Sequence, residues 1–445
     1  MPSDRSLNRQ ILQLAVPAFF ALVAEPLFLL VDSAIVGHLG TPQLAGLGIA
    51  GSVLATAAGV FVFLAYGTTA SVARALGAGA HDKVVASGVD GTVLAIVLGV
   101  LAAVAVGFGA EWMCAGLGAT GEVLHQAVIY LRVSAIGVPA MLTMMAVTGA
   151  LRGVQDTRTP LTVSLIGFTL NAVLNVALVY GLGWGIAGSA WGTVTTQYAM
   201  AFALVWVWLV RVRRSGSRLR LHPAGALAAA VIGVPLIVRT LALRAVLLLT
   251  TWVAAGLGEV PLAANQVAFT IWTLLAFALD ALAIAGQALT GKGLGAEDVA
   301  GVREATRVMV RWGVVGGAVM GLLVAVSGPL VAPLFSSDPA VRAAVVAALV
   351  VVGIGQPVAG YVFVLDGVLI GAGDGRWLAF GMTVVLIGYL PVVAALRVNA
   401  DWLVAQGPVA ATAALWIGFT AFMVIRGFML WWRERGDAWL VTGLG

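Results

Sequence analysis

Long apolar runs, each closed by a few polar or small residues, recur twelve times along the chain. They lie near residues 11–37, 46–72, 84–108, 122–150, 160–182 and 186–210, then near 226–254, 262–290, 305–328, 341–370, 377–396 and 408–430. Roughly 20 apolar residues are enough for a helix to cross the hydrocarbon core of a bilayer. The pattern therefore predicts an all-α integral membrane protein with spans 1 to 12 in that order. The opening decapeptide MPSDRSLNRQ is polar and precedes a run too long for a signal-peptide core, so it reads as a cytoplasmic tail.

Between spans 6 and 7 lies RVRRSGSRLRLHP, residues 211–223, with five arginines and Ser, Gly and Pro punctuation. It is the one clear linker, and it separates a first lobe, residues 1–210, from a second, residues 224–445. Placing it in the cytoplasm puts both tails, Arg74/Lys83, Arg152/Arg158, Lys292/Arg303 and Arg376 on the same side. The opposite loops then carry almost only Arg397, as the positive-inside rule requires.

The second half repeats the first at a constant offset of 218 residues. Pro17 pairs with Pro235, Gly40 with Gly258, and RALGA (74–78) with KGLGA (292–296). IGVP (136–139) pairs with IGQP (354–357), and Gly149, Gly153, Asp156 and Arg158 pair with Gly367, Gly371, Asp374 and Arg376. A register kept over so long a stretch indicates duplication. Six spans per unit is an even number, so both copies enter from the same side and the repeat is parallel. Two such lobes facing one another form an alternating-access architecture.

Composition sharpens the class. The 445 residues are 61% hydrophobic and 10% charged, which excludes a soluble globular chain. The net charge of +5 falls in short runs between spans, so topology explains it better than a nucleic-acid partner. The single cysteine, Cys114, forms no internal disulfide and reads as a packing residue. His38, His81, His125 and His222 are scattered at loops or helix ends without metal-ligand spacing, and no metal is expected. The glycine strings 181–185 and 371–375 lack the strand and the Lys-Ser/Thr of a phosphate loop. No enzyme signature is present.

Ionisable side chains at membrane depth are costly and normally face a partner or water. Span 1 carries Glu25 and Asp32, span 7 Arg239 and Arg244, span 8 Asp280 and span 10 Asp366. The deep acids are unmatched in the duplicate: Asp32 aligns with Thr250, Asp280 with Val62 and Asp366 with Thr148. Asp32 and Glu25, seven residues apart, project from nearly one face, and Pro26 between them favours a kink. In apolar surroundings a carboxylate gains affinity for protons. Asp32 is thus either a coupling acid or statically paired with a hydroxyl or amide, and Glu25 pairs with Arg239 or Arg244 or contributes to the site. Asn171 and Asn175 share a face of span 5; they form a polar patch with Asp32 and with Thr196, Gln197 and Tyr198 of span 6, or serve as interhelical hydrogen-bond glue. In the second lobe Asp280, Gln287 and Asp366 are open to an ion site, a structural network or a substrate contact. Met141, Met144 and Met145 offer an adaptable cavity lining or plain packing.

Taken together, EPLFLLVDSAIVGHLG, TPQLAGLGIA, RALGAG, ALRGVQDTRTPL, NAVLN, LDALAIAGQALTGKGLGA and VLDGVLIGAGDGR resemble the multidrug and toxic compound extrusion (MATE) family, and look closest to its bacterial DinF-like branch. The resemblance covers nearly all spans. It implies export of bulky amphipathic or cationic compounds driven by inward movement of protons or sodium ions, with Asp32 as the span 1 acid, Asn171 and Asn175 as its polar partners and Asp366 as the span 10 acid. Span 7 departs from sodium-coupled relatives by carrying Arg239 and Arg244 in place of a glutamate, which favours protons. No cofactor is expected. The expected partners are small amphipathic or cationic molecules and the bilayer of a bacterial cytoplasmic membrane, with the chain acting as a monomer. A lipid-linked precursor flippase would call for a more basic central cavity, a sugar transporter of the major facilitator type for a different loop after span 2, and a channel for a repeated filter segment.

Overall fold

The computed structural model describes residues 4–214 and 223–444. Among them there is no strand, and twelve helices are long and apolar enough to cross a membrane. The first lobe comprises α1 (Ser6–Gly37), α2 (Thr41–Gly77), α3 (His81–Gly116), α4 (Gly121–Gly153), α5 (Arg158–Gly181) and α6 (Gly185–Arg214). The second comprises α7 (Gly225–Gly256), α8 (Glu259–Gly295), α9 (Val299–Phe335), α10 (Pro339–Gly371), α11 (Gly375–Val398) and α12 (Pro408–Arg435). These helices are the twelve spans in order, but most run several residues past the apolar runs. At about 1.5 Å per residue, a helix need only fill some 30 Å of hydrocarbon, so polar turns at its ends continue into the interface. α6 continues through Arg211, Arg213 and Arg214, so the linker contributes its first arginines to a helix; residues 215–222, with His222, lie outside the described residues.

Three local irregularities escape hydropathy. α2 is interrupted by a turn at Val62, α5 ends in a π-helical turn at Ala177–Gly181, and a short helix, Ala400–Ala405, lies between α11 and α12. The face opposite the basic loops is less bare than loop counting suggests. Arg342, in the first turn of α10, donates to the Ser336 carbonyl at 2.7 Å, and Arg132 of α4 approaches Glu111 at 3.9 Å.

The duplication appears as repeated packing. α4 and α10 are the most buried helices of their lobes. A Cβ on Gly149 would stand 2.4 Å from the Ala65 carbonyl oxygen of α2, and one on Gly367 the same 2.4 Å from the Ala283 carbonyl oxygen of α8. All four residues keep the 218-residue register. Small residues here let the helix backbones touch, which gives association in lipid much of its energy.

The lobes meet in the same reciprocal manner. Gly77 at the end of α2 lies against the Lys292 carbonyl of α8, and Gly295 at the end of α8 against the Arg74 carbonyl of α2; added Cβ atoms would fall 1.9 and 2.0 Å from those oxygens. Arg74 donates across to the Ala372 carbonyl at 2.7 Å, and its counterpart Lys292 donates to the Gln155 side-chain oxygen at 2.9 Å. Nearby, Leu14 packs on Ala285 and Ala288, Ala18 on Ala281 and Ile284, and Phe63 lies against Gly233. These contacts lie in the half of the spans next to the basic loops. Farther along α2, Gly48 and Gly51 face open space. The lobe-to-lobe contacts named here thus gather toward the basic face.

Candidate functional site

The outer surface is apolar, with Phe108, Leu330 and Leu334 largely exposed, while Asp32, Asn171, Asn175 and Ser189 are buried. Their interior placement follows from the cost of leaving such groups in hydrocarbon without partners.

Asp32 stands between α1, α4, α5 and α6. Its Oδ1 accepts a hydrogen bond from the Ser189 hydroxyl at 2.6 Å and from Asn175 Nδ2 at 2.8 Å; its Oδ2 accepts from the Tyr130 hydroxyl at 3.3 Å. Asn175 Nδ2 also donates to Asn171 Oδ1 at 2.9 Å, and Asn171 Nδ2 to the Thr193 hydroxyl at 3.2 Å. Asn171/Asn175 and Ser189/Thr193 are both i, i+4 pairs, so two helix faces supply the patch. Gly192 makes room for it, since a Cβ there would lie 2.0 Å from Asn175 Oδ1. Among the described residues Asp32 has no ion pair.

The expected contribution of α6 is misplaced by one to two turns. Thr196 is buried without a hydrogen-bond partner, Gln197 Oε1 lies beside Gly137, and Tyr198, half exposed, donates to the Ile136 carbonyl at 2.9 Å. Ser189, Thr193 and, from α4, Tyr130 take their place. The i, i+4 spacing of Ser189 and Thr193 was the available signal. Met141 and Met145 are half-buried against the large central core, while Met144 packs in the separate cluster around Leu204 and Trp208.

The second-lobe acids have different surroundings. Asp366 is bound by two buried arginines: Arg239 Nε donates to Oδ1 at 3.1 Å and its Nη2 to Oδ2, while Arg426 Nη2 is 3.2 Å from Oδ1. This corrects the pairing expected for Glu25. Arg239 is taken by Asp366, Arg244 lies against Gly59 of α2, and Glu25 has no ion pair among the described residues. Asp280 is half-buried and likewise has no ion pair; Gln287 is buried, with its backbone beneath Gly371. A cavity of about 580 Å³ lies away from all of these acids, at the basic end of the first lobe between Gln155, Asp156 and Trp208.

A twelve-helix, two-lobed membrane transporter with one buried carboxylate held by neutral donors is the class that fold and site define. The MatE family profile matches residues 17–177 and again 235–397, the two repeats. The chain is 30% identical to Protein DETOXIFICATION 44, chloroplastic, of Arabidopsis thaliana, over 97% of this chain and 83% of that protein. It is 28% identical to DNA damage-inducible protein F of Escherichia coli (strain K12), over 98% and 95%. Its fold is similar to that of a MATE crystallised in the bent conformation, with TM-score 0.86 at 20% identity over 97% and 96% of the two chains. The chain belongs to the MatE family. It is thus a multi-pass membrane transporter of the multidrug efflux type, handling small molecules, and not an enzyme.

Proposed function

We propose that this protein is a proton-coupled antiporter that exports bulky amphipathic or cationic compounds across a bacterial cytoplasmic membrane, with Asp32 as the coupling acid. The supporting observation is a buried carboxylate surrounded by hydroxyls and amides with no ion pair among the described residues. An arginine partner would hold the acid ionised throughout the cycle. Neutral partners allow both protonation states, because the Ser189 and Tyr130 hydroxyls can each donate to a carboxylate or rotate to accept from a carboxylic acid. Asn175 adds a second such group: its buried Oδ1 has no hydrogen-bond partner. An amide flip would turn that acceptor toward a protonated Asp32.

With termini and basic loops in the cytoplasm, lobe contacts gathered at the basic face fit an outward-facing state, in which an outside proton reaches the first lobe and substrate departs. Deprotonation in the inward-facing state then permits reloading. A membrane potential of 100 mV supplies about 2.3 kcal/mol per charge moved, enough to bias such a cycle. Proteoliposomes with imposed proton or sodium gradients test the reading: proton-driven flux of a cationic dye should vanish in Asp32→Asn. Full flux in that variant removes Asp32 as the coupling site, and a strict sodium requirement overturns the choice of ion.

A further inference from the structure

The two lobes end differently at the basic face. After α12 the chain folds back over the second lobe. Asp437 pairs with Arg303 of α9, the Gly443 amide donates to the Leu294 carbonyl of α8 at 3.0 Å, and Trp439 is only 1% exposed. Trp439 shares one apolar core with Leu294, Val302, Ala372, Met429 and Leu430, and Leu440 packs against it. This tail, GDAWLVTG, is an acid followed two residues later by a large aromatic anchor.

The 218-residue register carries that footprint onto the 580 Å³ cavity of the first lobe. Leu294, Val302, Arg303, Ala372, Met429 and Leu430 match Leu76, Val84, Val85, Val154, Arg211 and Val212, and all six of the latter line the cavity. What the tail helps cover in one lobe is thus open in the other: Leu294 is fully buried, whereas Leu76 is partly exposed. The floor is apolar and includes Trp208. The rim is basic. His81 and Arg158, which begin α3 and α5, lie on it with Arg211, and helix N-termini add partial positive charge. Asp156 is the one acid among the lining residues, and Thr159 and Arg211 already hold it. Arg158 has no ion pair among the described residues.

We propose that this cavity is a docking socket for a segment of a partner protein with the chemistry of the tail: a carboxylate that meets Arg158, and two residues on a large aromatic side chain that takes the apolar floor. The second lobe shows that such a segment suits the matching place. Charge complementarity favours another molecule as its source, because the chain's own residues in that register, SGSRLRLH (215–222), bring two arginines and no acid to a basic rim. The partner would come from the compartment that the basic loops face. Gln155 lines the cavity and also accepts the cross-lobe bond from Lys292, so a docked segment lies beside the contact between the lobes. This inference goes beyond the transport reading and depends on neither Asp32 nor the coupling ion.

The test is fluorescence polarisation of a labelled, end-blocked GDAWLVTG peptide (residues 436–443) titrated with full-length protein in nanodiscs of neutral lipid. The peptide should bind saturably, and its Asp437→Asn and Trp439→Ala forms should each bind about tenfold more weakly. Arg158→Ala protein should lose about tenfold for the parent peptide and little for the Asp437→Asn peptide, because both changes remove the same contact. Arg303→Ala, which loosens the chain's hold on its own tail, should leave binding unchanged. Absence of saturable binding, or equal binding of the three peptides, overturns the proposal. So does tighter binding in Arg303→Ala, which would mean exchange into the second lobe. Displacement by dihexanoyl phosphatidylglycerol but not by dihexanoyl phosphatidylcholine would assign the cavity to a lipid headgroup instead, and binding seen only in a Leu219→Ser/Leu221→Ser protein would assign it to the linker; either result overturns the proposal.

Discussion

The acid site of the first lobe and its counterpart in the second occupy equivalent places in two copies of one bundle, yet only one holds a carboxylate. Asp32 is replaced by Thr250, Asn171 by Tyr389, Asn175 by Val393, Ser189 by Gly407, Thr193 by Ala411 and Tyr130 by Ala348. What remains is a hydrogen bond between the Tyr389 and Thr250 hydroxyls at 2.9 Å, with the Thr250 hydroxyl also donating to the Val246 carbonyl and the Tyr389 ring packed edge-on against Phe422. Phe269, Trp416 and Phe419 extend that aromatic packing. The glycines that seal helix to helix and lobe to lobe are retained at matched positions. Packing geometry is thus common to both halves while a carboxylate held by neutral donors is found at only one of the two matched sites, and the second lobe places its own deep acid, Asp366, between two arginines.

The contrast can be broken most severely at its centre. Asp32→Asn should reduce proton-driven dye flux in proteoliposomes to that of protein-free vesicles, whereas Thr250→Val at the matching position should leave flux near wild type. Equal losses in both variants would mean that the two sites do not differ in the way described. Next in size is Asp366→Asn, which strands two buried arginine charges. It should destabilise the folded protein by about 3–5 kcal/mol, read as a lower denaturant midpoint in micelles. A near-neutral effect would show that the triad is not structural. Smaller still, Asn175→Val, which copies the second-lobe residue, removes one hydrogen bond to the carboxylate and should cost about 1.5–3 kcal/mol. The reciprocal Val393→Asn has no acid to meet and should gain nothing.

The smallest effect concerns the loops that follow α4 and α10. Burial works against ionisation of Asp156, but hydrogen bonds from the Thr159 amide and hydroxyl, together with the Arg211 guanidinium, outweigh it and hold the carboxyl below the usual range. The stabilisation from Asp156 is therefore complete above that usual range, near pH 4, and is lost as pH falls through the lowered value. With Arg211 half exposed, Asp156→Asn should cost under about 1 kcal/mol at neutral pH, and the deficit should shrink on acidification. A deficit that grows toward low pH would reverse the assignment.

Several of these features are legible in sequence for physical reasons. Spans are set by hydrocarbon thickness and show as runs of apolar residues; lobe symmetry shows as the fixed register of Gly149 with Gly367 and Pro17 with Pro235. Asp32 stands out because an acid in such a run needs partners, and Asn171 with Asn175 because their spacing places both on one face. Tyr130 was not legible, since helix rotation within a bundle is set by packing, and the i, i+4 signal of Ser189 and Thr193 was masked because α6 carries several polar residues at other phases. The partner of Arg239 was equally hidden: Glu25 and Asp366 are both acids at membrane depth, and only the assembled second lobe places one of them between two arginines.

The most direct measurement of coupling at Asp32 is proton release on substrate binding. Weakly buffered micellar protein containing a pH indicator would be titrated with tetraphenylphosphonium at a series of pH values. If substrate and proton compete through Asp32, wild-type protein should release protons as the cation binds, with the yield falling at alkaline pH where the acid is already ionised, and Asp32→Asn should bind the cation without release. Proton release of undiminished size from Asp32→Asn would contradict the account.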